Sequence, residues 1–113
     1  SSVDGEAIRL SLQTSLADLA AAYNEVQSAI TAYEQAADAA SSAAGAYSMG
    51  TGTKADWYDA LSARTDSQVS LYAALRAFTS QVNALNSMTG GWVSRTQGWM
   101  TDALLPLYNT AAQ

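Results

Sequence analysis

The sequence predicts an all-α fold: a long antiparallel, coiled-coil-like helical hairpin with a short third C-terminal helix. Three observations carry that prediction. Along two long stretches, apolar residues recur at alternating steps of three and four. Between them lies a short break, Gly50-Thr51-Gly52-Thr53, whose glycines suit backbone conformations that a helix interior penalises. Past the second stretch, Gly90-Gly91 forms a glycine stop. At 113 residues the chain reads as a single helical domain, 1–113.

The first arm is predicted over about residues 4–47. Ser2 offers a cap, and Asp4 and Glu6 place carboxylates where the helix dipole favours them. Leu16, Leu19, Tyr23, Val26, Ile30, Tyr33, Ala37, Ala40, Ala44 and Tyr47 then follow a heptad seam, with Ile8 and Leu12 extending it towards the N-terminus. Such a helix would be about 65 Å long. Ala36, Ala37, Ala39, Ala40, Ala43 and Ala44 crowd its last turns, so the arms should approach most closely there.

Residues 48–53 form the predicted tip. Thr53 followed by Asp56 has the spacing of a capping box opening the second arm, over about 54–89. Its seam is Trp57, Leu61, Arg64, Gln68, Leu71, Leu75, Phe78, Val82, Leu85, Thr89 and Trp92. The polar members Arg64, Gln68 and Thr89, if buried, would cost stability and could fix register. Val69, Tyr72, Ala73 and Ala77 form a second apolar set beside the seam. A helix with two apolar faces needs more than one neighbour, whereas a two-helix hairpin supplies one, so a homo-oligomer is expected. The third helix, about 95–108, opens at Ser94 with Gln97 and carries Met100, Ala103, Leu104 and Leu107; Pro106 ends or kinks it. Trp92, Trp99 and Tyr108 read as packing at the open end rather than as a ligand box.

Only 13% of the residues are charged, about half the usual share. Before the tip, six carboxylates face Arg9 alone, a balance of -5; from Lys54 onward four basic residues balance four acidic ones. This leaves no strong nucleic-acid signature. Cysteine and histidine are both absent, which excludes Ser–His and Cys–His nucleophilic catalysis and thiolate metal sites. No apolar run is long enough for a transmembrane helix.

Weaker constellations have plain structural readings. Lys54, the one lysine, reads as a solvated tip charge rather than half of a Ser–Lys pair. Asp56 and Asp59 share a face and could hold a hard cation, but acidic residues also stabilise a first helical turn. Gly50-Thr51-Gly52-Thr53 lacks the rest of a phosphate-binding loop. Arg64 and Arg76 are expected to pair with the acidic first arm. No catalytic residue, cofactor or metal is expected, and the chain is read as a non-enzyme.

Tyr47-Ser-Met-Gly50-Thr-Gly-Thr53, with Asp56 and then Asp59-Ala60, resembles the periplasmic tip of the TolC/OprM-type outer-membrane efflux proteins. Glu25-Val26, Ala29 and Ala32-Tyr33 are similar to that family's Glu-Val-x-x-Ala-Leu-x-x-Tyr stretch. Asn83-Ala-Leu-Asn-Ser-Met-Thr-Gly-Gly-Trp92 resembles its Gly-Gly-Gly-Trp ending. Trp57-Tyr58 stands where the family has a small aliphatic pair, and the chain has one hairpin and no barrel-strand pattern. The resemblance implies a hairpin that packs laterally into an α-helical tunnel and meets an adaptor protein at its tip. Gly50, Thr51, Gly52 and Thr53 would be the adaptor contacts, with Asp56 and Asp59 near the pore mouth. It also implies a location in the periplasm or cell envelope. The alternative is a self-assembling coat or filament subunit, placed in a virion or outside the cell; low charge, many aromatic residues and two-faced helices suit it equally.

Overall fold

A computed structural model describes residues 2–90, with side chains from Val3 onward. Helix α1, Ser2–Ser48, and helix α2, Lys54–Met88, lie antiparallel and pack against each other along the length of α2. The chain is an all-α helical hairpin, with no strand among the described residues. It measures 73 × 25 × 13 Å. Its radius of gyration is 19.7 Å, against roughly 12 Å for a compact domain the length of residues 2–90. Among the described residues, a rod this thin has one internal interface, and the remaining faces of both helices are surface. The predicted third helix, and the cluster of Trp92, Trp99 and Tyr108, lie outside the described residues.

The core is a single line of side chains between the helices. Val26 and Leu71 are fully buried, and Leu75, Tyr33 and Phe78 complete the cluster. Leu85 extends the line towards the open end, where Leu12, Leu19 and Val82 pack against it. Towards the tip Ala40 is buried, and its small side chain lets the backbones close in. On α2 the apolar seam members turn inward: Leu71, Leu75, Phe78 and Leu85 are buried, and Trp57, Leu61 and Val82 are half-buried, whereas Arg64 is exposed.

On α1 the seam divides. Leu19, Val26, Tyr33 and Ala40, seven residues apart, face α2 throughout. The alternate positions do not all follow. Ile30 is half-buried, whereas Leu16 is 51% exposed and Tyr23 45%. Ala22 and Ala29, one position earlier in each heptad, pack against the core instead. A straight helix drifts by about 20° per heptad relative to a strict seven-residue repeat, enough to carry one edge of the seam outward over two or three heptads. Tyr23 keeps contact through its ring, which lies 5.9 Å from that of Phe78 at a tilt of 57°.

One electrostatic expectation is corrected. Arg64 and Arg76 form no ion pair with the acidic first arm; among the described residues, the pair within α1 joins Arg9 to Glu6. Both guanidiniums are exposed, in water that solvates them as well as a surface partner would. Of the polar seam members, Arg64 is exposed, and Gln68 and Thr89 are half-buried. Threonines within the helices and at the α2 C-cap bond locally: the hydroxyls of Thr31, Thr65, Thr79 and Thr89 each donate to the carbonyl four residues back. No helix among the described residues is long and apolar enough to cross a membrane.

Candidate functional site at the hairpin tip

The tip is built from two helix ends that satisfy each other's backbone. Gly50 has φ +77°, left-handed backbone that a side chain disfavours. Its N–H donates to the Tyr47 carbonyl (3.1 Å), and the Thr51 N–H donates to Ala46 (2.9 Å). This is a Schellman closure of α1. The Ala46 carbonyl also accepts from the Gly52 N–H (3.0 Å) and from the Thr51 hydroxyl (3.2 Å). Gly52 is the tightest point: a Cβ there would sit 2.9 Å from the Ala46 methyl.

Helix α2 opens on Thr53, whose backbone is extended and whose hydroxyl accepts from the Asp56 N–H at 3.0 Å. The capping box is half formed, since the Asp56 side chain makes no return bond and stays exposed beside the helix start. Thr53→Ala should cost about 1 kcal/mol, seen as a lower midpoint in urea with an unchanged slope. An unchanged midpoint would mean that the hydroxyl is not supporting the helix start.

Behind the turn stands a ladder of aromatic rings that no seam count revealed as a unit. Tyr47, last on the α1 seam, stacks on Trp57, first on the α2 seam, with centroids 5.5 Å apart and planes 23° off parallel. Trp57 in turn meets Tyr58 at 5.6 Å, and the Lys54 ammonium lies 5.5 Å from the centre of the Tyr58 ring. The sequence signal was present in these two seam positions, which antiparallel pairing brings together at the tip. The ladder braces the turn, and Met49, 76% exposed, projects beside it.

Of the tip residues named from the sequence, Gly50, Thr51, Thr53 and Asp56 are exposed and Gly52 is half-buried against Ala46. The turn therefore offers a rigid polar rim, two carboxylates (Asp56 and Asp59) and partly exposed rings. No group of three metal-ligating side chains occurs among the described residues. The concave patches nearer the open end, one lined by Val3, Glu6, Ala7 and Leu10 and another by Leu10, Ser11, Thr14, Ser15 and Met88, are open and mainly lined by small or apolar side chains. No protein-family model, curated protein or solved structure matches the chain.

Proposed function

We propose that the hairpin is a non-enzymatic assembly element, packing its long sides against other copies in a larger oligomer. The carrying observation is the apolar surface that the two-helix core leaves over. Leu16 and Tyr23 stand at the outer edge of the α1 seam, and Val69 (60% exposed) and Tyr72 (38%) lie off the α2 seam. A rod one core-line thick covers little of such surface by itself, and lateral neighbours would cover more. The order of the tip, its Schellman closure and its braced rings suit a second role in end-on docking to a partner, as the efflux-type resemblance implies; the cell envelope is the location that goes with it.

Light scattering over a concentration series, combined with negative-stain imaging, tests this reading. The expected result is a mass above the monomer that rises with concentration to a defined assembly. A strictly monomeric, fully helical chain at millimolar concentration would sink it. Long filaments or closed shells would favour the coat or filament subunit over the tunnel wall.

A further inference from the structure

We infer that the outward face of α2 pairs with the same face of a second copy, antiparallel, about a two-fold axis through Val69. This inference rests on the assembly reading above and names the neighbour that α2 takes. Tyr58, Ser62, Thr65, Val69, Tyr72 and Arg76 recur at steps of four and three, which places them on one face of α2, and all six are exposed. That face is turned away from the Leu71, Leu75 and Phe78 line that packs on α1.

The face is self-complementary when read outward from Val69 in both directions. In an antiparallel pair centred there, a residue n places after Val69 meets one n places before it in the second copy. Tyr72 then falls level with Asp66 of the second copy and within one residue of its Thr65, whose methyl the ring covers. Arg76, about 10 Å along the helix from the axis, reaches the level of Ser62 of the second copy. Asp59 and Asp66 flank Ser62 within about one turn on either side. The two-fold repeats each contact, so two arginines gain carboxylate partners at once.

Charge makes the second copy the fitting occupant. Arg76 has no carboxylate three or four positions away on its own helix, where Tyr72, Ala73, Thr79 and Ser80 stand. It forms no ion pair with α1. Asp59 and Asp66 likewise have no basic residue three or four positions away. Antiparallel pairing of α2 with itself brings these unpaired charges of opposite sign together, with Val69 and Tyr72 as the apolar centre. The arrangement closes as a symmetric dimer, four helices across, and leaves the α1 faces free for other contacts.

The chain contains no cysteine, so one introduced thiol reports a single contact. In the full chain, Val69→Cys under copper–phenanthroline oxidation should give a disulfide-linked dimer rapidly and nearly completely, because a residue on the axis meets its own copy. Gln35→Cys, exposed on α1, should cross-link slowly. Arg76→Asp should weaken the dimer about tenfold by sedimentation equilibrium. Combining it with Asp66→Arg should restore most of the affinity, while circular dichroism shows unchanged helix in both. Failure of Val69→Cys to self-link while a mixture with Gln35→Cys forms the mixed dimer would overturn this pairing, but leave lateral assembly standing, with α2 facing α1 of the next copy. Monomers throughout would overturn both. A dimer that Arg76→Asp leaves unweakened, or that the double change fails to restore, would overturn the proposed register.

Discussion

Leu71→Ala is expected to lower the unfolding free energy by about 3 kcal/mol. Leu71 is fully buried at the centre of the cluster formed with Val26, Tyr33, Leu75 and Phe78. Removing three carbons there loses their transfer free energy and leaves space that the neighbours fill only in part. Collapse is limited because the other helix contributes a single line of side chains, and Val26 cannot follow without dragging α1 inward. A hairpin with one core line holds little stability in reserve, since domains of this size are marginal even when compact. The change should therefore shift the urea midpoint by a large fraction of its value. Val69→Ala, on the outward face of the same helix, is the control. At concentrations where the chain is monomeric it should stay within about 0.5 kcal/mol of the parent. Equal effects at the two positions would place the core elsewhere.

Gly50→Ala combined with Gly52→Ala should be nearly as costly, and should also change the shape of the molecule. At Gly50 there is open space, so the penalty is the left-handed backbone, about 1–2 kcal/mol for a residue with a Cβ. At Gly52 the backbone is permissive and the obstacle is the Ala46 methyl at 2.9 Å, with the Ala46 carbonyl carbon at 3.4 Å. A methyl fixed to a helix cannot rotate aside, so α1 and the turn must separate, at roughly 1–3 kcal/mol. The two costs arise in the same turn and need not add. Both are relieved if the chain continues as a helix from Ser48 into Lys54. The arms then pair with those of a second chain, giving a rod of about twice the length with exchanged arms. Circular dichroism should show increased helix, and small-angle scattering a doubled long dimension. If neither changes, the glycines are not what turns the chain.

The positions of the helices could be read from residue types, because their causes are local. Alternating apolar steps mark both arms, and α1 ends one residue beyond the predicted boundary, at Ser48. Thr53 caps α2 as its spacing with Asp56 predicts, although the return bond is missing. At the other end Gly90, at φ +66°, donates to Ser87 just after Met88 closes the helix. The candidate tip was legible as a turn but not as a surface. Nothing local indicates that Ala46 gathers three donors, or that Tyr47 and Trp57 stack, since each depends on how closely the arms approach.

The same division holds for the core. Apolar spacing alone determined that two long helices would bury Val26, Tyr33, Leu71, Leu75, Phe78 and Leu85, since heptad steps place them on one line of each helix. Tertiary structure alone decided which edge of the α1 seam stayed outside. Leu16 and Tyr23 have the same spacing as the buried residues, yet the slow rotation of a straight helix against a seven-residue repeat turns them towards solvent and brings Ala22 and Ala29 in. It also decided that Arg64 and Arg76 would form no ion pair with the first arm. Opposite charges on facing arms are a property of the sequence; whether they meet depends on side-chain direction across the interface, which no count of charges contains.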